Sequence, residues 1–186
     1  MNTTFDEPRL ATTADLQTIL NLIKEAAGWL HTMGTDQWSR PWPSRRERDD
    51  RIRDSVAAKA TWILWDGATA VATITAHRDG HERLWTPEEL LQPAVYLHRI
   101  VVSREYAGRR IGARLIDWAT NRAALKYGAR QTRIDVWATN EALHKYYEAI
   151  GFEFVRRADY PGYPSNALFQ RPVETRGWPG RDASDV

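Results

Sequence analysis

The chain has 186 residues, 42% of them hydrophobic and 11% aromatic, enough for one compact domain with a core of ordinary size. It contains no cysteine, which excludes disulfide frameworks, thiolate metal sites and cysteine nucleophiles. A formal charge of +2 is too small to point to nucleic acid, and no apolar run approaches the roughly 20 residues that span a bilayer.

The start, "MNTTFDEPRLATTADL", carries acids and lacks the basic and apolar regions of a secretory signal, so the expected setting is cytoplasmic. Leu16, Ile19, Leu20, Ile23 and Leu30 recur at helical spacing, with Asp15 placed to cap the helix. A second, very polar helix is expected after Ser44, and its mixed charges read as a solvated face. Two β-rich runs then flank Asp66-Gly67, a hairpin signal that makes this half of the sheet antiparallel.

The run "AVYLHRIVVS" reads as a strand that feeds into "REYAGRRIGARLIDWA". The helix there buries Ile111, Leu115, Ile116, Ala119 and Ala123 and closes at Gly128. "QTRIDVWA" is a strand, "NEALHKYYEAI" a helix ended by Gly151, and "FEFVRRA" a further strand. Strand, helix, strand, helix, strand implies a parallel crossover in the centre of a mixed α/β sheet. One domain is expected over residues 1–172, and the aperiodic tail 173–186 reads as disordered, with Trp178 leaving room for docking.

A glycine-bearing turn from strand into helix exposes backbone N–H groups at the positive end of the helix dipole, and so makes an anion site. Gly108 and Gly112 allow close approach, while Arg109 and Arg110 add charge. The Lys-Ser/Thr pair of a Walker A loop is absent, and a dinucleotide fingerprint needs three glycines after the first strand.

From Val95 to Arg157 the chain resembles the GNAT superfamily of acyl-coenzyme A dependent N-acyltransferases. "RIVVSREYAGRRIGARLI" stands in the register of the family's Arg/Gln-x-x-Gly-x-Gly/Ala loop, and "RIDVWATN" with "YYEAIGF" matches its closing strand and helix. "GTDQW" looks like a subset of bacterial members. The sequence departs from the pattern in having Ala107 at the first loop position and Arg110 at the first glycine, with Gly112 in place.

The resemblance implies a GNAT-like mixed sheet with helices on both faces, acetyl-coenzyme A as cosubstrate and no metal. It implies that the turn residues Ala107, Gly108, Arg109, Arg110, Ile111, Gly112 and Ala113 hold the diphosphate. Ile100, Val101 and Val102 would pair with the pantetheine arm like an added strand, and Asn140 would contact that arm as well as capping its helix. Chemically, an amine attacks a thioester through a tetrahedral intermediate, which requires a deprotonated amine and a proton for the departing thiolate.

By the same resemblance Tyr147, four residues before Gly151, is the proton donor; the other reading of Tyr146 and Tyr147 is as helix-face aromatics packing on the sheet. Asp135 is a candidate base, because some ribosomal-protein acetyltransferases of the family carry a carboxylate five residues before the matching asparagine. An ion pair with Arg99 or Arg133 is the alternative. His98 is the competing base. On the acceptor side Trp29, Gln37 and Trp38 are expected to contact a small-molecule amine. The leading expectation is an N-acetyltransferase acting on such an amine, as monomer or homodimer, with no nucleic-acid or membrane partner. The rivals are a non-catalytic acyl-coenzyme A or partner-binding module, acetylation of a protein amino group, and an arginine-rich nucleic-acid binder.

Overall fold

In a computed structural model that describes residues 5–174, a seven-stranded sheet runs in the order β1-β2-β3-β4-β5-β7-β6. The strands are β1 (Arg9–Leu10), β2 (Thr61–Asp66), β3 (Thr69–His77), β4 (Ala94–Val102), β5 (Gln131–Val136), β6 (Glu153–Arg157) and β7 (Ala167–Pro172). The helices are α1 (Leu16–Thr32), α2 (Arg45–Ala57), the single-turn α3 (Pro87–Leu90), α4 (Ile111–Tyr127) and α5 (Glu141–Ala149). Only β4 and β5 pair in parallel; the other described pairings are antiparallel. The mixed sheet with a central parallel crossover is therefore as expected.

Helices cover both faces because adjacent strand residues point to opposite sides. Leu64, Leu97, Ile134 and Val136 pack with α4 and with Tyr147 of α5. Ile63 and Val101 pack instead with Ile19, Ile23, Ile52 and Val56 of α1 and α2. The expected α4 face is buried, and the helix ends on left-handed Gly128 at φ 72°. No described helix is long and apolar enough to cross a membrane.

Two sequence expectations need correction. Asp15 does not cap α1 with its side chain; its Oδ2 accepts from the Thr12 N–H and Oγ1, both at 2.8 Å, and closes the turn just before the helix. The segment after β6 holds a further strand, β7, which inserts between β5 and β6 and runs antiparallel to both. Of the expected tail, Val173 still hydrogen-bonds the Arg130 carbonyl at 3.0 Å, and residues 175–186, including Trp178, lie outside the described residues.

Candidate active site

The site begins where β4 leaves β5. Their parallel pairing ends at Leu97 with Ile134, while β4 continues along β3 to Val102. A register shift in the β3 pairing brackets this point, and Arg99 within it has φ 49°, a left-handed conformation that bends the strand away. Beyond the bulge, the β5-facing edge of Ile100, Val101 and Val102 has no neighbouring strand among the described residues, so its backbone groups face an opening wedge. Val101 buries its side chain against α1 and α2, whereas Ile100 lines the wedge.

A turn follows at the wide end of that wedge. Ala107 is extended, Gly108 has φ 79°, and Arg110, the residue before α4, is left-handed at φ 57°. The first helical bond, from Arg114 N to the Arg110 carbonyl, leaves the N–H groups of Ile111, Gly112 and Ala113 without intrahelical acceptors. A Cβ on Gly112 would stand 3.1 Å from the Tyr146 hydroxyl, so a larger residue would crowd α5 here. Glu25 of α1 anchors the turn's entry by accepting from Arg104 N at 2.7 Å. The Arg109 guanidinium lies 5.0 Å over the Tyr106 ring.

Below the turn, the wedge opens into a cleft of about 210 Å³. Tyr147 lines it, 8% exposed, with its ring against Phe152 and Phe169. It thus combines the packing and cleft-lining roles. No hydrogen bond joins its hydroxyl to another described residue, and burial, reinforced by Tyr146 and Asp135, pushes the phenol above its usual pKa.

The two rival bases form one unit. His98 Nδ1 lies 3.1 Å from Asp135 Oδ1, and the Tyr163 hydroxyl donates to Asp135 Oδ2 at 2.5 Å. Burial alone would raise the Asp135 carboxyl; the adjacent His98 and the hydrogen bonds from His98 and Tyr163 outweigh it and hold the group below the ordinary carboxylate value. Asp135 is therefore paired neither with Arg99 nor with Arg133. The latter, wholly buried, donates instead to the Glu89 carbonyl, Tyr96, Gln92 and Gln170. Behind His98 the His77 ring lies 5.7 Å away, its pKa lowered to about 4 by burial and then by His98 and Arg99.

One wall of the cleft comes from α2 and the loop before it; most of the α2 charges are solvent-exposed, as read, and two of its arginines border the cleft as well. Arg48, Arg51 and Ile52 sit three and four apart on one stripe of α2 and line the cleft. Trp42 joins that wall to the β6–β7 loop through Tyr163, ring centroids 4.9 Å apart. Trp38 and Gln37 line the cleft. Gln37 also accepts from Asn140 Nδ2 at 2.6 Å, and Asn140 Oδ1 accepts from Leu143 N at 3.0 Å, capping α5. Asp36 accepts from Trp137 and Thr139, so "GTDQW" fastens the α1–α2 loop to the entry of α5. Trp29 lies outside the cleft, half exposed beneath the Arg104 guanidinium at 3.8 Å.

Residues 24–152 match the family model described as acetyltransferase (GNAT) family. The chain belongs to the GNAT family. It is 31% identical over 162 residues to the uncharacterized N-acetyltransferase YesJ of Bacillus subtilis (strain 168), covering 86% of each chain. A GNAT acetyltransferase of Listeria monocytogenes superposes with a TM-score of 0.72 at 22% identity, over 90% of this chain and 94% of that one. The PaiA N-acetyltransferase of Thermoplasma acidophilum, solved in complex with coenzyme A, gives 0.66 at 17% identity, over 89% and 98%. The chain is thus an acetyltransferase enzyme with a GNAT fold. What the sequence alone missed in this GNAT cleft is its arginines, Arg40, Arg48, Arg51 and Arg99, together with Tyr163. The i,i+3 spacing of Arg48 and Arg51 beside Ile52 was the one available signal.

Proposed function

We propose that this enzyme moves an acetyl group from acetyl-coenzyme A to a primary amine of a small molecule by direct attack. One observation carries the reading: Tyr147 and the His98–Asp135 pair line one cleft, at the point where β4 and β5 part. The donor fits the residues present. Open N–H groups of Ile111, Gly112 and Ala113, with the cations of Arg109 and Arg110 beside them, suit a diphosphate. The unpaired edge of Ile100, Val101 and Val102 suits an amide-bearing arm.

Asp135 orients His98 by accepting from Nδ1, which leaves Nε2 as the ring's acceptor. That nitrogen takes the proton from the attacking amine. As the tetrahedral centre collapses, the Tyr147 hydroxyl donates to the departing thiolate, and its burial keeps it protonated for that purpose. Asn140, with its amide oxygen and one amide N–H held by the protein, acts chiefly by fixing α5 and hence Tyr147. Thiol release from acetyl-coenzyme A across a panel of primary amines tests the reading; coenzyme A binding without acetylation of any amine would replace it with a binding module.

A further inference from the structure

The acceptor wall is more cationic than acetyl transfer requires. Among the described residues four arginines line the cleft, against one lining carboxylate, that of Asp135, which His98 and Tyr163 already occupy. Arg48 is neutralised by Asp49 at 2.5 Å. Arg51 and Arg99 are not: Arg51 donates to the Trp42 carbonyl, and Arg99 donates to Ser55 Oγ at 2.7 Å, both neutral acceptors. Among the described residues neither guanidinium has a carboxylate within salt-bridge distance.

The two cations also feel each other. Burial, and then the charge of Arg51, lower the Arg99 guanidinium to about 10. Like charges close together with no carboxylate paired to either repel, the more so because Arg99 is partly buried, and a compact oxyanion between them would relieve the repulsion with charge-assisted hydrogen bonds. A polycationic acceptor meets the opposite situation, repelled by the guanidiniums with no free carboxylate to receive it. The Trp42 face of the cleft is already used by a cation, since the Arg51 guanidinium lies 5.6 Å from its ring.

Building on the reading of this cleft as the acetyl-transfer site, we infer that the acceptor amine also carries a compact oxyanion, a carboxylate or a phosphate, which Arg51 and Arg99 hold on the α2 side. Amino acids are one such class and aminoalkyl phosphates another. Arg51 and Arg99 are then specificity residues that select the acceptor through its anionic group.

Matched pairs test the inference. The twenty amino acids are compared with their decarboxylated amines, and phosphoethanolamine with ethanolamine, in a thiol-release assay with acetyl-coenzyme A. The oxyanion-bearing member of at least one pair is expected to exceed its partner in kcat/KM by about tenfold or more, the scale of one charge-assisted hydrogen bond. The pair that shows it separates carboxylate from phosphate. In Arg51→Ala and Arg99→Gln that ratio falls toward one while the KM for acetyl-coenzyme A holds; Arg51, exposed on α2, keeps the test available should the bulge variant not fold. Equal or better use of the uncharged partners, or an unchanged ratio in Arg51→Ala, overturns the inference. If no amine is acetylated, calorimetry of the same pairs against coenzyme A-saturated protein decides separately: binding by the oxyanion-bearing members alone upholds it, and any other pattern overturns it.

Discussion

His98 and Asp135 meet one residue beyond the last paired rung of the parallel β4–β5 ladder, Leu97 with Ile134, Nδ1 to Oδ1 at 3.1 Å, where the strands begin to separate. The carboxylate fixes the imidazole tautomer at the mouth of the wedge, and Tyr163 holds the carboxylate from the β6–β7 loop. Asp135→Asn preserves shape but can present its amide N–H to Nδ1 and favour the wrong tautomer. We expect kcat to fall on the order of a hundredfold, as general-base losses do, with the KM for acetyl-coenzyme A little changed. His98→Gln should fall as far, and the double variant no further, because the pair acts as a unit. Additive losses in steady-state kinetics would show instead that the two side chains act independently.

Tyr147→Phe removes the hydroxyl and leaves the ring packing on Phe152 and Phe169. Turnover should drop on the order of a hundredfold with the affinity for acetyl-coenzyme A unchanged in a calorimetric titration. Because burial raises this phenol above its ordinary value, wild-type kcat should show no descending limb from Tyr147 deprotonation up to about pH 10. Such a limb, abolished in the variant, would mean that the phenol is not held in its buried, protonated form.

Much of this arrangement was legible in the sequence, and the gaps have physical causes. The hydrophobic periods of α1 and α4, the Asp66-Gly67 turn and the left-handed Gly128 and Gly151 are local signals, and each stands as read. β7 was missed because it lies between β5 and β6, and nothing in its short run "ALFQRP" reports that non-local pairing. His98 and Asp135 looked like competing bases because only the strand register, Leu97 beside Ile134, makes them partners. Arg51 is solvent-exposed, as read, but a charge on a polar helix carries no mark of the cleft it borders. The left-handed Arg99 is a consequence of the β4 bulge, which no residue preference announces.

Arg110 occupies a left-handed backbone position, φ 57° and ψ 21°, that costs a side-chain-bearing residue about 1–2 kcal/mol and glycine almost nothing. Arg110→Gly and Arg110→Ala both delete the guanidinium, so they differ in backbone preference alone. The glycine variant should be the more stable by about 1 kcal/mol in urea denaturation. Both should weaken acetyl-coenzyme A binding to a similar degree, since the charge is lost in each. Equal stability would mean that the turn relaxes out of the left-handed region when the side chain is shortened.

His77 contributes to the acid side of the stability profile. Its ring, partly buried beside His98 and Arg99, with Ser55 Oγ 3.1 Å from Nε2 and Asp79 nearby, has its pKa lowered from 6.5 to about 4. The fold therefore prefers the neutral ring, and the unfolded chain binds the proton first as pH falls. The contribution is complete above about pH 6.5 and is lost as pH descends toward 4, the direction for a depressed histidine. Discounted for the ring's partial exposure, it amounts to about 1–2 kcal/mol. His77→Gln keeps a polar partner for Ser55 and does not titrate. Between pH 7 and pH 4.5, urea denaturation should show the wild type losing about 1–2 kcal/mol more than this variant, and parallel losses would mean that His77 is already protonated in the folded protein at the lower pH.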